Sequence, residues 1–576
     1  EEMMQLWIRT TDGRAVLLRD TYRPVFYARG SPDMLEKLTR RLIALDALAE
    51  AVSREERLLL YENTPALALK FTLKRPSLLS TIRRKLYAFY GKMDLYHTDI
   101  ELPTGYMYAK NLYPLAEVEV LYNATDHSVA SILCTSDIAE LDYSIPDFRL
   151  LRLGFEKSSR LPIAENCILI QAAGQDFCLS GKEQNALLAL LTELLNDYDP
   201  DVILSSAGDQ TLMPFLFTLL QKNRTHLPLD RDPFRIQRRI IHKGSSYNTY
   251  GSWIYRAPSY PLYGRWHIDR ANSFVYKEAE LAGILELARI SRVPVQRLAR
   301  SSTGAALTCM ETNVALKKGY LVPWQKSKVE APRTAYDLLR ADKGGLVFVP
   351  QSASCYENVA QLDFSQMYPT IMDQHNISPE TINCSCCSPG ETVPGLSSHI
   401  CSKRRGVVSD TLRDILARRA YYKKQMKNQN ISVADRAIYD ARQNSLKWML
   451  VTSFGYLGYR NAKFGRLESH EAVTAFGREK LLKAILLAEE QGFSLLHAIT
   501  DCLFLSHEDK RRLNEPLLQK LCARIADSGG IAMSIDGIYS WVYFLESRTQ
   551  KGLAVMNRYF GRFQDGTLKI RGITAS

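Results

Sequence analysis

The sequence predicts an α+β, mixed α/β multidomain protein, and three observations carry that expectation. Its 576 residues exceed one ordinary domain and suit roughly three to five compact units. Short apolar runs with strand character alternate with amphipathic helical stretches along the chain. Hydrophobic residues make up 46% and charged residues 24%, the balance of packed globular material rather than of a disordered or fibrous chain.

Lysine and arginine (74) exceed aspartate and glutamate (62) by 12. That excess suits a polyanionic partner, because each phosphate contact releases counterions; a merely basic soluble surface would show it too. The longest apolar stretches, Ala186–Leu195 and Leu481–Ala488, are too short to span a bilayer. No positively charged leader with an apolar core opens the chain, and Glu1 in place of methionine reads as a trimmed start. Eleven cysteines, scattered or locally clustered, favour a reducing cytoplasmic compartment.

Leu6–Arg9 and Ala15–Leu18 read as strands around the turn Asp12-Gly13, and Asp33–Leu45 as an amphipathic helix. Further on, a helix is expected near Glu183–Asp197, followed by the apolar run Asp201–Leu204. A basic, loop-rich stretch (Arg235–Arg239, Lys243, Arg256, Arg265) interrupts this part, and Gly344-Gly345 punctuates the chain before its most informative half.

Three separated segments there carry chemistry. An apolar strand, Val359–Leu362, delivers Asp363 at its end, where Pro369 prevents simple strand continuation. Two apolar runs flank Thr500-Asp501 within Phe493–Ser506, as in a hairpin with a carboxylate at its tip. Two carboxylates on neighbouring strands can hold the pair of cations that phosphoryl transfer requires; singly, each would be an ordinary turn or cap residue. Between them, Ser409-Asp-Thr-Leu-Arg-Asp reads as the capped start of a helix that runs to about Lys427 and ends near Asn428-Gln-Asn430. Arg419 and Lys423 stand four apart on one face, and a second helix, about Val433 to Thr452, carries Lys447. Such a pair can present three cations to a triphosphate, or simply a solvated basic face.

These segments resemble the signatures of family-B DNA polymerases. Asp363-Phe-Ser-Gln-Met-Tyr-Pro-Thr-Ile is similar to D-x-x-S-L-Y-P-S-I, with His375-Asn-Ile-Ser-Pro-Glu-Thr381 continuing it; Leu416–Lys427 resembles the first fingers helix; Lys447–Tyr459 resembles K-x-x-x-N-S-x-Y-G and its extension; Val473–Glu479 and Thr500-Asp501 follow in family order. The resemblance implies a right-hand architecture: an N-terminal domain (1–145), a degenerate RNase H-like exonuclease domain (146–290), a connecting segment (291–345), palm (346–408), helical-hairpin fingers (409–446) and palm again (447–576). It implies that Asp363, Asp501 and the Phe364 carbonyl hold two Mg²⁺ ions, for which Mn²⁺ can substitute, and that Lys447 takes part in catalysis. Phe364, Gln366, Met367, Tyr368, Arg419, Lys423 and Lys447 would bind the nucleotide, Tyr368 excluding a ribose 2′-hydroxyl. Arg558-Tyr559 resembles the end of K-K-R-Y near the primer terminus, with Lys569 and Arg571 as further phosphate contacts. The partners implied are primer–template DNA, deoxynucleoside triphosphates and other replication or repair proteins, in a prokaryotic, nucleoid-associated setting without membrane.

Departures qualify this. Ile499 stands where the family usually has the first aspartate of D-T-D, Val451 replaces its usual asparagine, Gln366 a serine and Asn557 a lysine. Slow or lesion-tolerant synthesis is therefore expected; the alternative is a catalytically inactive, polymerase-derived DNA-binding or accessory protein. In the nuclease region Gly154-Phe-Glu156 stands for D-I-E, Ala207–Leu212 ends in leucine where aspartate is usual, and Tyr276 with Glu280 only loosely matches the third motif. Proofreading is expected to be absent. The combination resembles the archaeal and bacterial subgroup with disrupted motifs. The chain ends at Ser576, about where a helical thumb would begin, so the thumb is expected to be truncated or absent. For Cys384, Cys386, Cys387 and Cys401, free thiols, a Cys387–Cys401 disulfide like the palm disulfide of some archaeal relatives, and a metal site stay open.

Overall fold

The computed structural model describes residues 2–573 except 87–91, 233–239, 241–242, 250–251, 327–329, 331, 389 and 510–512. The basic stretch Arg235–Arg239 lies outside the described residues. The chain divides into two compact units, one of residues 1–57, 67–317 and 417–449, the other of 58–66, 318–416 and 450–576.

In the first unit the strands Met4–Arg9 and Ala15–Asp20 pair antiparallel with Leu6 opposite Leu18, as the turn at Asp12-Gly13 predicts. The helix expected at Asp33–Leu45 spans Pro32–Ala44 and buries Leu38 and Leu42. A mixed five-stranded sheet follows, in the order Gln175–Ser180, Cys167–Ala172, Leu150–Phe155, Val202–Ser205, Trp266–Asp269. Its first two pairings are antiparallel and its last two parallel. Leu187 and Leu191 from the helix Gln184–Glu193, and Met213, Leu216 and Phe217 from Met213–Asn223, close its core. The first of these helices ends earlier than expected: Leu194–Tyr198 widens into a π turn and Asp199 takes a left-handed conformation. Arg265, part of the basic, loop-rich stretch, is buried and paired with Asp199 at 3.2 Å.

Two long helices, Val407–Met426 and Val433–Gly458, contribute their 417–449 part to this unit. They are held by one fully buried carboxylate, Glu286 (0% exposed). Tyr143 Oη donates to it at 2.6 Å, Arg418 Nη1 approaches to 3.4 Å and Arg442 Nε to 4.0 Å. Arg442 also lies 3.8 Å over the Tyr143 ring and donates to the carbonyls of Leu141 and Tyr143. Tyr421 and Tyr439 both donate to Asp142. The segment 138–143 thus clamps both helices through charge-assisted bonds, buried at Tyr143 and exposed at Asp142.

The second unit is built on a seven-stranded sheet in which every pairing is antiparallel. Its order is Val347–Phe348, Phe493–Ile499, Cys502–His507, Cys355–Phe364, Met533–Glu546, Ala554–Phe563, Leu568–Arg571. On one face Phe504, Tyr539, Phe544 and Tyr559 form an aromatic cluster, with Phe504 5.3 Å from Tyr559 and 5.8 Å from Phe544. Alternate residues of the same strands, Leu362, Leu503 and Leu505, are also fully buried. Burial on both faces explains why these central strands are rich in apolar residues at successive positions. Ser409 is not the helix cap that the sequence suggests. The helix already begins at Val407, and the Ser409 hydroxyl donates to the carbonyls of Met372 and Ile377, because apolar Val407 and Val408 are themselves buried. Among the described residues, no helix is long and apolar enough to cross a membrane.

Replacing Glu286 by alanine leaves two buried guanidinium groups uncompensated, and should cost about 3–5 kcal/mol of stability, measured by chemical denaturation. A neutral effect would mean that the carboxylate does not hold the helices.

Candidate active site

The strand Cys355–Phe364 ends in Asp363, and the hairpin Phe493–Ile499/Cys502–His507 carries Asp501 in its tight turn. Strand pairing joins them: Asp363 lies opposite Cys502, and the Phe364 amide donates to the Asp501 carbonyl at 2.8 Å. Thr500 adopts a left-handed conformation (φ 56) and its amide donates to Leu346. Gly345 makes room for this turn, since a Cβ there would stand 2.7 Å from Thr500 Oγ1. The two acids that the sequence singled out, 138 positions apart (501 − 363), therefore share one end of the central sheet.

Their electrostatics mark the place. Burial, then the charges of Asp501 and Asp536, push Asp363 up to about 7 against the pull of Lys569. Burial and the charge of Asp536 raise Asp501 as well, against a backbone hydrogen bond. Acids crowded this way without a neutralising arginine lack positive charge. Oxygen donors of this kind fit a hard divalent cation such as Mg²⁺. Asp536 was missed in the sequence: it sits on Met533–Glu546, the strand next to Asp363, and no motif flags it. Lys569, expected on DNA, donates instead to Asp536 and to Gln361, each at 3.0 Å.

Tyr368 stands beside this pair. Burial and the charge of Asp501 push its hydroxyl up to about 12. Its ring packs 4.4 Å from that of Phe454, which stacks in turn on His470 at 4.1 Å. Gly477 supplies the floor: a Cβ there would lie 2.9 Å from Tyr368 Cε1. Gln366, in a left-handed conformation (φ 54), turns the chain into the helix Met367–Gln374. Phe364 and Met367 are buried side chains, so only their backbones are offered to a ligand.

In the other unit, Arg419, Lys423 and Lys447 form a second group. Burial lowers Lys423, as do the charges of Arg419, Lys427 and Lys447, and burial lowers Arg419. The Arg419 Nε has no hydrogen-bond partner among the described residues. A cluster of like charges with a partly desolvated donor suits a polyanion.

Arg558 and Arg571 are exposed, whereas the Tyr559 ring, only 4% exposed, belongs to the aromatic cluster. Ile499 packs against that same cluster.

In the five-stranded sheet, Gly154 carries no carboxylate and Glu156 is exposed. Asp209, fully buried, is occupied: it accepts from Arg300 Nε at 2.6 Å and Nη2 at 2.9 Å, from Asn272 at 2.8 Å and from the Tyr260 amide at 3.0 Å. Burial works to raise it, but Arg300 and His267 hold it below the usual range. The helix Phe274–Ser291 breaks at Glu280, whose φ is 50. No local signal announces the Arg300 pairing, which joins residues 91 apart.

Asp363 gives a signed prediction. Its folded value near 7 exceeds the ordinary 3.8, so the metal-free fold loses stability as pH rises from about 4 to 7, and the loss is complete above 7. Asp363→Asn removes that ionisation. With chelator present its melting temperature should exceed wild type at pH 8, and the gap should close towards pH 4. A constant gap would contradict the raised value.

Residues 300–513 match the family model described as DNA polymerase family B. DNA polymerase 2 of Saccharolobus solfataricus is 35% identical over 266 residues, 46% of this chain and 38% of that protein. DNA polymerase 1 of Pyrococcus abyssi is 23% identical over 615 residues, covering 96% of this chain and 75% of that protein. DNA polymerase 2 of Aeropyrum pernix is 24% identical over 645 residues, covering 99% and 77%. The fold is similar to the family B DNA polymerase of the hyperthermophilic archaeon Pyrobaculum calidifontis, with a TM-score of 0.69 at 20% identity over 99% of this chain and 81% of that one.

Proposed function

Because the chain belongs to DNA polymerase family B, we propose that it extends a DNA primer on a template by nucleotidyl transfer and does not proofread. The observation that supports this best is the strand pairing that sets Asp363 beside Asp501, with both raised by burial and crowding. Asp363, Asp501 and the Phe364 carbonyl would hold Mg²⁺, which when bound supplies Lewis-acid activation of the primer hydroxyl and neutralisation of the leaving pyrophosphate.

The chain's own residues do the rest. Tyr368, seated between Phe454 and Gly477, bars a ribose 2′-hydroxyl by bulk. Arg419, Lys423 and Lys447 neutralise triphosphate charge. Arg558 and Arg571 contact the DNA backbone. Loss of polar groups at Ile499 and Val451 slows synthesis without removing a metal ligand, which suits undemanding repair or translesion work. The exonuclease-like sheet keeps a scaffold role, since Gly154 offers no ligand and Arg300 occupies Asp209.

Primer extension with four deoxynucleotides and Mg²⁺ tests this directly. Asp363→Ala should lower the rate by about 10³-fold or more, and 3′-labelled primer should not shorten with either protein. Equal, null extension by both would favour the inactive DNA-binding alternative, and shortening would refute the missing proofreading.

Gly477→Ala drives a methyl into the Tyr368 ring. It should lower kcat/KM for deoxynucleotides about 10- to 100-fold through misplacement alone, and alter discrimination against ribonucleotides. Unchanged values for both would mean that the ring is not seated on this glycine.

A further inference from the structure

Beyond the polymerase residues, a second cluster stands out in the unit that carries Asp363, and it does not depend on the function proposed above. After Thr381 the chain makes a short excursion and returns: Ile382 bridges Ile400, Thr392 bridges His399, and the Cys401 amide donates to the Thr381 carbonyl at 2.8 Å. This return brings Cys401 against Cys384, Cys386 and Cys387. Their Sγ atoms all lie within 4.8 Å of one another. Cys384 and Cys387 are 3.4 Å apart, Cys386 and Cys401 3.5 Å, Cys387 and Cys401 3.7 Å.

We propose that Cys384, Cys386, Cys387 and Cys401 bind one zinc ion as a closed, structural tetrathiolate centre. Four sulfurs about 2.3 Å from a shared tetrahedral ion stand about 3.8 Å from each other, close to the separations here. A disulfide would use two of the four and leave the other pair unexplained. An iron–sulfur cluster spreads its thiolates over several irons and needs a wider cage.

The surroundings suit thiolates. The Arg404 amide donates to Cys401 Sγ at 3.4 Å, and Asn63 Nδ2 to Cys386 Sγ at 3.6 Å, the outer bonds that orient and stabilise charged sulfur ligands. Lys403 and Arg404 follow Cys401 after Ser402 and offset the net negative charge of such a centre. Asn63 in turn accepts from Tyr320 Oη at 2.7 Å and Arg404 Nη1 at 3.0 Å. The ion therefore ties the 384–401 excursion to the 58–66 segment, just before the helix Val407–Met426 begins. Cys384 and Cys401 are buried, and with four protein ligands no position is left open for catalysis.

The test uses the full chain, purified without added metal. Elemental analysis should find a single zinc per chain, retained in Cys178→Ser, whose cysteine lies outside the cluster, and lost in Cys386→Ser with Cys401→Ser. Wild-type protein loaded with Co²⁺ should show the intense thiolate-to-metal charge-transfer and d–d bands of a tetrahedral S₄ site, which keeps the question open to measurement even where the double variant does not fold. A metal-free chain with four reactive thiols, a Cys387–Cys401 disulfide in peptide mapping, or iron with acid-labile sulfide would each overturn the proposal.

Discussion

The structure depends on keeping two acids side by side that electrostatics would separate. Asp363 and Asp501 are placed by backbone, not by attraction: the register that sets Asp363 opposite Cys502 and the Phe364–Asp501 hydrogen bond leave neither side chain a choice. A slip of one residue would turn every alternate side chain to the other face. That slip is blocked because both faces are apolar and filled, by Leu362, Leu503 and Leu505 on one and by Phe504, Tyr539 and Phe544 on the other. Hydrophobic packing thus fixes a register whose electrostatic consequence is unfavourable until positive charge arrives.

The treatment of buried carboxylates separates structure from chemistry. Glu286 and Asp209 are both fully buried, and both meet arginine: Arg418 and Arg442 around the first, Arg300 on the second. Each is satisfied within its own unit and contributes to holding it. Asp363 and Asp501 meet other acids instead, with a lysine, Lys569, reaching only as far as Asp536 and Gln361. An acid left uncompensated where neighbouring acids are paired is the physical mark of a ligand site. By the same measure Asp209, gripped by the Arg300 guanidinium at 2.6 and 2.9 Å, is engaged in structure.

Much of the second unit was legible in the sequence because its signals are local. A run of apolar residues ending in Asp363, and another broken only by Thr500-Asp501, state strand, turn and tip within a few positions. Helix ends were less legible. Val433–Gly458 runs beyond the expected Thr452, and Val407–Met426 starts before Ser409, because tertiary burial of Val407 and Val408 outweighs the capping preference of serine. Long-range pairings outside the Asp363–Asp501 pair were not legible. Nothing near Asp209 announces Arg300, nothing near Glu286 announces Arg418 and Arg442, and Asp536 lies in a strand without a motif. The cysteines were ambiguous for the same reason: their spacing is irregular, and only the return of Cys401 beside the other three distinguishes a shared site from scattered thiols.

The departure at Ile499 makes physical sense within this frame. An aspartate at that position would add another negative charge to a sheet end where burial and the charge of Asp536 already raise both Asp363 and Asp501. Isoleucine instead pairs with Val347 and Cys502 and packs against the aromatic cluster beneath the hairpin. The exchange strengthens the element that carries Asp501 and lowers the repulsion that the fold must contain, while the two carboxylates fixed by strand register stay where they are. What is given up is one polar group at the rim. With Ile499 given to packing, the register-bound acids Asp363 and Asp501 still stand together at the end of the sheet, where a cation would bind.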